Sequence, residues 1–258
     1  MKITVLTENT SEFKNIGYEH GLSLYIETRK HKILFDIGQT ELFAVNAEKL
    51  GVDLSNVDVA VLSHGHYDHG GGLKKFLEIN KSAPVYINKN AFGAYYNGSE
   101  KYIGLDDKLK NTERIVFTDN FTEIDEELSL CSCNANLKLF DLGSFGLNKF
   151  VNGEYIPDDF LHEQYLQINH GDKKVLISGC SHKGILNIVN WFDADVIIGG
   201  FHFSKLPLDN KLKEYATYLN SFKTKFYTCH CTGLEQYKFM KKYMKNLGYL
   251  SCGKSIMI

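Results

Sequence analysis

The sequence VDVAVLSHGHYDHGGGL at residues 57–73 decides the fold. Its first part, Val57–Ser63, is nearly all apolar, which predicts a strand covered on both faces. Three histidines and one aspartate follow within six residues, and three glycines then lead into a helical pattern from Leu73. Glycines allow a sharp turn between a strand and a helix. The stretch therefore predicts a cluster of polar side chains at the end of a buried strand.

The imidazole and carboxylate groups of this cluster indicate a metal site. His64 and His66 are two residues apart at the end of an extended segment, so both rings leave the same face and can share one ion. Asp68 and His69 follow as the chain turns, which directs them to a neighbouring position. Imidazole and carboxylate ligands without thiolate are typical of an open catalytic site. We expect one or two divalent ions, with zinc as the first choice and iron or manganese as alternatives.

The composition is that of a globular protein and limits the classes of partner. Of the 258 residues, 43% are hydrophobic and 23% are charged, and the formal net charge is −2. A near-neutral charge disfavours nucleic acid as a partner. The longest apolar runs are far shorter than the ~20 residues that span a bilayer, and no signal peptide is visible. We therefore expect a cytoplasmic protein with a small-molecule substrate and no membrane contact, while its oligomeric state stays open.

The six cysteines do not form the pattern of a disulfide framework in a chain of this length. Cys131 and Cys133, like Cys229 and Cys231, are separated by one residue, whereas a zinc ribbon has two. Free cysteines of this kind behave as small buried hydrophobic residues. The sequence predicts reduced and mostly buried thiols.

The hydrophobic pattern predicts a single domain over residues 1–258, with strands in the centre and helices outside. Residues 89–113 are rich in tyrosine, glycine and asparagine, which predicts a long surface loop that acts as a lid. A second irregular stretch is predicted over 143–159, and a short strand over 137–142. Helices are predicted over 42–50, 73–79, 183–192, 210–222 and 234–247.

Several motifs resemble those of one enzyme superfamily. HGHYDH at residues 64–69 is similar to the HxHxDH signature of the metallo-β-lactamase fold superfamily. The resemblance implies an α/β (α+β) fold, a four-layer αββα sandwich of two mixed β-sheets with helices outside. Further matches are similar to the subgroup named after 7,8-dihydropterin-6-methyl-4-(β-D-ribofuranosyl)aminobenzene-5′-phosphate synthase. They are HGLS at 20–23, LFDIG at 34–38, SGCSH at 178–182, IGGFH at 198–202 and HCTG at 230–233.

The resemblance also implies a set of metal ligands. It implies His64 and His66 for a first metal, and Asp68, His69 and His230 for a second. The chain departs from the usual superfamily pattern at Cys180, which occupies the place of an aspartate that bridges both metals. His182 follows two residues later and is predicted to replace a missing histidine ligand. Cys180 is interpreted either as a ligand or as a neighbour of one.

Other residues are predicted to surround the ligands. In the subgroup that the chain resembles, the histidine at the position of His202 faces the pocket and contacts substrate or donates a proton. Asp36 ends a strand and is predicted to orient a site histidine through a hydrogen bond. The two-residue period of a strand predicts that Cys229 and Cys231 turn away from His230. No chemical role is predicted for His20.

The resemblance and the residue chemistry together predict a metal-dependent hydrolase or transferase for a small phosphate-, diphosphate- or carbonyl-bearing substrate. A metal-activated water or a metal-held leaving group would support the reaction, with Asp68 as base or orienting group and His202 as proton donor. The subgroup's name implies condensation of a dihydropterin diphosphate with an aminobenzene ribotide, and Tyr95, Tyr96 and Tyr102 could stack on a flat ring. An iron-bound redox enzyme of the same fold is the alternative. A nuclease is disfavoured by the charge, and a protein that binds a metal without turnover stays open.

Overall fold

The structure is a computed structural model that describes residues 1–258. The helices are α1 (Leu42–Lys49), α2 (Tyr67–Gly70), α3 (Leu73–Ile79), α4 (Ile185–Trp191), α5 (Asn210–Asn220) and α6 (Leu234–Met240). The strands are β1 (Lys2–Thr7), β2 (Ser23–Glu27), β3 (Lys32–Phe35), β4 (Val59–Val61), β5 (Val85–Asn88), β6 (Tyr95–Asn97), β7 (Lys101–Tyr102), β8 (Ile115–Thr118), β9 (Phe121–Glu123), β10 (Leu128–Cys131), β11 (Leu147–Val151), β12 (Glu154–Pro157), β13 (Tyr165–His170), β14 (Lys173–Ile177), β15 (Val196–Gly199), β16 (Lys225–Thr228), β17 (Leu247–Tyr249) and β18 (Ser255–Met257). No helix has both the length and the apolar character needed to cross a membrane.

Fourteen of the strands form two mixed sheets of seven strands each. The first sheet has the order β18-β1-β2-β3-β4-β5-β8, and the second has the order β17-β16-β15-β14-β13-β10-β9. Each sheet is antiparallel in one half and parallel in the other. Neighbouring parallel strands need a crossover. Helices α1 and α3 supply it in the first sheet, except between β5 and β8, where the chain runs through β6 and β7, and helices α4, α5 and α6 supply it in the second sheet.

The two large sheets pack face to face, and helices cover both outer faces. The apolar interior between the sheets includes Ile3, Val5, Leu24, Phe35, Val61, Leu166, Ile168, Val175, Ile177 and Ile198. On the far side of the first sheet, Phe43 of α1 and Phe76 of α3 are completely buried. On the far side of the second sheet, Leu186 of α4 and Leu219 of α5 are completely buried. The predicted four-layer αββα sandwich is therefore confirmed.

The parallel strands place the predicted site residues at one edge of the sandwich. Asp36 follows β3, and His64 follows β4 in the same sheet. In the other sheet, Cys180 follows β14, His202 follows β15 and His230 follows β16. Side chains that follow the carboxyl ends of adjacent parallel strands come out at the same edge of a sheet. Residues up to 194 positions apart in the chain thus become neighbours.

The prediction of irregular structure over 89–113 and 143–159 is wrong, because these segments form a third sheet. Strands β6 and β7 of the first segment join the hairpin of β11 and β12 in the order β12-β11-β6-β7. The strands are short, and all four residues of β12 are exposed, so no buried face produces an alternating pattern. Pairing such as Leu147 with Asn97 joins segments 50 residues apart. The role of 89–113 as a lid stays a prediction.

The prediction of a strand over 137–142 is also wrong, because the backbone of this segment forms hydrogen bonds with the side chain of Asn187 instead of with a neighbouring strand. The N–H groups of Leu139 and Phe140 donate to Asn187 Oδ1, at 2.8 and 2.9 Å. Asn187 Nδ2 donates back to the carbonyl of Phe140. The last helix is shorter than predicted and ends at Met240, because residues 247–249 pair with β16 as strand β17.

His31, in the turn between β2 and β3, should make part of the stability depend on pH. Its ring contacts Asp125 at 2.6 Å and Asp58 at 3.1 Å. Burial lowers the pKa of His31, but the hydrogen bonds from the two carboxylates outweigh it and raise the pKa above its ordinary value. A raised pKa gives stability that is complete below the unfolded value of about 6.5 and is lost as the pH rises through the folded value.

We therefore expect His31→Asn to lower the free energy of unfolding by about 1 kcal/mol at low pH and by less at high pH. Urea denaturation of the metal-free proteins on both sides of the transition measures the difference. An equal loss at both pH values would contradict the role of the protonated ring.

Candidate metal centre

The HGHYDH segment enters the site from the end of β4 in a close-fitting turn. His66 is extended, with ψ 145°, and caps the short helix α2, which carries Asp68 and His69. At Gly65, a Cβ atom would lie 2.1 Å from the carbonyl oxygen of Ala91, so no other residue fits without moving the backbone. The N–H of Gly65 donates to Nδ1 of His162 at 2.9 Å. This packing fixes the direction in which the histidines on either side of Gly65 leave the chain.

A first group of possible ligands consists of His64, His66 and His182, all buried. One ring nitrogen from each lies within 4.8 Å of the others, and Nε2 of His64 is 3.3 Å from Nε2 of His182. Burial holds the pKa of all three imidazoles below the ordinary value, so the rings are neutral and offer lone pairs. Nε2 of His66 is buried without any hydrogen-bond partner. Ligands of tetrahedral zinc lie about 3.3 Å apart, so this group fits a zinc ion.

A second group consists of Asp68, His69 and His230. Oδ2 of Asp68 lies 3.4 Å from Nε2 of His230 and 3.7 Å from Nε2 of His69, and the two Nε2 atoms are 3.2 Å apart. Nε2 of His20 is 3.2 Å from the same carboxylate oxygen. Burial raises the pKa of Asp68, but the surrounding imidazoles outweigh it and hold the pKa well below its usual range. Asp68 is therefore an anion, as a metal ligand must be.

Asp36 orients two of the histidines, as the sequence predicts. Its fully buried carboxylate accepts hydrogen bonds from the Ser63 N–H at 2.7 Å, the Ser63 hydroxyl at 2.8 Å and Nδ1 of His69 at 2.6 Å. Because the Ser63 hydroxyl gives its only proton to Asp36, its oxygen accepts the proton of His64 Nδ1 at 2.7 Å. The Nε2 atoms of His64 and His69 are therefore the ones that face the site.

Residues near the amino terminus hold His230 in place. Nδ1 of His230 lies 2.7 Å from Oδ1 of Asn9, and its N–H donates to the buried carboxylate of Glu8 at 3.0 Å. With both Nδ1 atoms donating, the facing Nε2 atoms of His69 and His230 must share a proton or a cation. Burial lowers the pKa of His69, but the carboxylates of Asp36 and Asp68 outweigh it and raise the pKa to about 9. A cation bound here would replace that proton.

A buried carboxylate holds the loop that carries His182. Glu163 accepts hydrogen bonds from the N–H of His182 at 2.6 Å, from the N–H of Lys183 at 3.0 Å and from the hydroxyl of Tyr165 at 2.7 Å. Phe160 stacks on the imidazole of His182, with ring centroids 4.5 Å apart. Glu163 thus fixes the backbone of His182, and Phe160 fixes its ring. His182 completes the first group.

We expect Glu163→Ala to lower the free energy of unfolding by about 3 kcal/mol, because it leaves three buried donors without their acceptor carboxylate. Glu163→Gln keeps one acceptor oxygen and the packing, so it should lose less than half as much. Denaturation in urea measures both. Equal losses in the two variants would contradict this expectation, because the acceptor oxygen and the packing that glutamine keeps would then contribute nothing.

The cysteines divide between the centre and the core. Sγ of Cys180 lies 3.2 Å from Nε2 of His69 and within 4.8 Å of a ring nitrogen of His64. Because His64 belongs to the first group and His69 to the second, Cys180 lies between the two groups. Of Cys229 and Cys231, which are both predicted to turn away from His230, only Cys231 lines the pocket. Its sulfur groups with Cys180 and His202, whereas Cys229 is completely buried between the sheets. The reason is that residues 230–232 form a 3₁₀ turn, which ends the two-residue period of the strand.

These groups open into one pocket of about 170 Å³. The predicted site residues that line it are His66, Asp68, Cys180, His182, His202 and His230, while His64 and His69 lie completely buried beneath. The stacking predicted for Tyr95, Tyr96 and Tyr102 is not supported, since Tyr67 is the only tyrosine in the lining. Tyr95 is buried and donates to the carbonyl of Asn90.

Some residues that line the pocket are not predicted from the sequence. His20, Lys101 and Lys205 line the pocket, and Cys231 does so beside Cys180. His20 belongs to the HGLS match at residues 20–23, which is the only feature of the sequence that links it to the site. The two lysines belong to no motif. Their position depends on where the third sheet and the segment after His202 lie relative to the centre.

This fold and centre define the class of protein. The family model for the metallo-beta-lactamase superfamily matches residues 16–221, and the chain belongs to that superfamily. The superfamily fold generally binds divalent metals, and the neutral imidazoles, the anionic Asp68 and the unpartnered His66 nitrogen fit such ions.

Relatives match this chain over almost its full length. It is 30% identical to the uncharacterized protein MJ0448 of Methanocaldococcus jannaschii, over 99% of this chain and 100% of that protein. It is 27% identical to the 7,8-dihydropterin-6-methyl-4-(beta-D-ribofuranosyl)-aminobenzene-5'-phosphate synthase of the same organism, over 99% and 96% of the two chains. The solved structure of Tm1679, described as a metal-dependent hydrolase of the beta-lactamase superfamily, is 29% identical with a TM-score of 0.85, covering 100% and 99%.

Proposed function

We propose that this protein is a metal-dependent enzyme that hydrolyses a small phosphate-bearing substrate or transfers a group from it. The observation that carries the proposal is that two adjacent sets of ligand atoms face one pocket, which Lys101 and Lys205 also line. A divalent cation bound at such a centre polarises a phosphoryl oxygen and lowers the pKa of a bound water. The two lysines add positive charge where an anionic substrate would enter.

The lining of the pocket supports a substrate that combines a phosphate with a flat ring. Nζ of Lys101 donates to the hydroxyl of Tyr67 at 3.0 Å and lies 5.1 Å from the centre of its ring. Tyr67 of α2 packs against Ile103 and Leu147, and these three residues give the pocket aromatic and apolar surface. The name of the synthase relative contains a dihydropterin, an aminobenzene and a 5'-phosphate. We infer a condensation of this kind, with release of diphosphate, as the specific reaction.

Two residues of the chain are proposed to act on the reacting groups. His202 lines the pocket next to Cys231, and we infer that its ring donates a proton to the leaving group. Asp68 is anionic and surrounded by the imidazoles of His20, His69 and His230, which supports a role in orienting the attacking group.

Assays with chemically defined substrates test the proposal. Zinc-loaded protein is mixed with a dihydropterin diphosphate and an aminobenzene ribotide, and phosphorus NMR follows the release of diphosphate. A phosphodiester such as bis(p-nitrophenyl) phosphate tests hydrolysis in parallel. The metal-stripped protein should be inactive with both, and turnover that is indifferent to metal removal would overturn the proposal. A redox-active iron spectrum after anaerobic purification would favour the alternative of an iron enzyme.

The two pocket lysines should act mainly on substrate binding. We expect replacing both Lys101 and Lys205 by alanine to raise KM about tenfold and to change kcat less, because the lysines attract the phosphate without contacting the reacting bond. Replacing Lys81 and Lys108, which are exposed and outside the pocket, is the matched control for charge. A loss in kcat alone would contradict a role in binding.

A further inference from the structure

We propose that Cys131 and Cys133 form a reversible dithiol–disulfide couple that reacts with hydrogen peroxide, at a site separate from the metal centre. Their sulfur atoms are 3.3 Å apart, and both thiols are free. A disulfide bond of about 2.05 Å needs the two atoms to approach by only about 1.3 Å more. The pair therefore stands close to the geometry of its oxidised form.

The backbone brings the two thiols together. Cys131 is the last residue of β10, and alternate residues of a strand point to the same face but lie about 6.6 Å apart, near the limit for a disulfide. Cys133 has a φ of 54°, the left-handed conformation that residues with a side chain rarely adopt. Between them, the N–H of Ser132 donates to the carbonyl of Asn120 at 2.9 Å. The left-handed φ of Cys133 turns its side chain from the direction it would have in a regular strand, and the two sulfur atoms lie 3.3 Å apart.

The two thiols have different surroundings, which make Cys131 the attacking thiol and Cys133 the resolving thiol. Nζ of the buried Lys183 donates to the carbonyl of Ser132 at 2.6 Å, which places an ammonium group beside the pair. The hydrogen bond from the Cys133 thiol lowers the pKa of Cys131 and raises that of Cys133, and the charge of Lys183 favours the thiolate of Cys131. Cys131 is also partly exposed, whereas Cys133 is buried. Peroxide should therefore meet Cys131 first.

The chemistry needs one peroxide molecule for each pair. The thiolate of Cys131 attacks one peroxide oxygen, the O–O bond breaks, and the leaving hydroxide takes up a proton to become water. The resulting sulfenic acid is attacked by the sulfur of Cys133, which forms the S–S bond and releases a second water. The two thiols lose two electrons in all, and peroxide gains them. A small thiol such as dithiothreitol reverses the change by disulfide exchange.

Other cysteines provide internal comparisons. Cys252 is completely buried, its sulfur accepts the N–H of Glu8 at 2.9 Å, and burial raises its pKa to about 12. Cys180 and Cys231 belong to the metal centre, so the experiment uses the full-length, zinc-loaded protein. At pH 7 we expect iodoacetamide to alkylate Cys131 at least about tenfold faster than Cys252, because the thiolate reacts and the thiol does not.

Peptide mass spectrometry after a brief exposure to hydrogen peroxide tests the proposal. The unmodified chain should lose two hydrogen atoms in the peptide that contains residues 131 and 133, and dithiothreitol should restore them. Cys133→Ala should stop at a sulfenic acid on Cys131 that dimedone labels, and Cys131→Ala should leave Cys133 as a thiol. Cys252→Ala is the matched control and should oxidise like the unmodified chain.

Two results would overturn the proposal. One is a Cys131–Cys133 peptide that stays reduced while peroxide oxidises other thiols of the same protein. The other is Cys131 alkylation no faster than that of Cys252. The alkylation comparison is made within the unmodified chain, so it stays decisive even if a variant fails to fold.

Discussion

Replacing His64 or Asp68 by alanine is expected to remove bound metal and turnover together. His64 belongs to the first group of ligands and Asp68 to the second. Asp68 lines the pocket, and His64 lies buried beneath it. Each substitution leaves only two protein ligands in its group, and an open catalytic zinc site needs three. Metal content per chain, measured by elemental analysis after dialysis, should fall by about one ion in each variant, and catalytic activity should fall to background.

His31→Ala is the control, because His31 lies directly before β3, at the opposite end of that strand from Asp36, and its ring pairs with Asp58 and Asp125. It should keep both the metal content and the activity of the unmodified protein. Unchanged metal content in both His64→Ala and Asp68→Ala would refute the ligand groups described above. A loss of metal without a loss of turnover would separate the metal from the reaction.

Asp36→Ala is expected to cause a large loss of stability, about 3 kcal/mol in the free energy of unfolding, similar to that expected for Glu163→Ala. The substitution leaves the Ser63 N–H, the Ser63 hydroxyl and Nδ1 of His69 buried without their acceptor. Asp36 also has a φ of 56°, and alanine tolerates this conformation poorly. Because Asp36 sets the direction of two imidazoles, we further expect zinc affinity to fall 10- to 100-fold, roughly the range seen when such partners are removed.

Asp36→Asn separates the causes of this loss. Asparagine tolerates the left-handed conformation and keeps one acceptor oxygen, but it cannot accept all three hydrogen bonds. Urea denaturation of the metal-free variants gives the free energies of unfolding, and competition with a chelator gives the zinc affinities. We expect Asp36→Asn to keep most of the stability and to lose part of the affinity. Unchanged zinc affinity in Asp36→Ala would mean that His64 and His69 do not need this carboxylate to face the site.

Both parts of the centre are held by hydrogen bonds within the protein before any metal binds. Any ion that binds only the folded chain adds to the free energy of unfolding in proportion to the logarithm of its concentration. His182 and His230 are held by Glu163 and Glu8 even without an ion, through hydrogen bonds to their backbone N–H groups. The centre is therefore largely formed before the metal arrives, which favours rapid loading of the folded protein.

The sequence by itself determined the local parts of this protein. The run from Val57 to Leu73 contains a strand, a turn and a helix in succession, so spacing alone places His64, His66, Asp68 and His69 near one another. Alternating and continuous apolar patterns likewise gave most of the strands of the two large sheets, since each strand shows its burial in its own residues. These features depend on neighbours in the chain.

Only the tertiary structure decided which distant residues complete the centre. His182 and His230 approach the HGHYDH segment because the two sheets pack face to face and their parallel strands end at one edge. Tertiary contacts also bring Cys231 to the pocket and pair β6 with β11 in the third sheet, although no local pattern marks either event. Local spacing cannot encode such contacts, because they depend on the register and packing of strands that are distant in the chain.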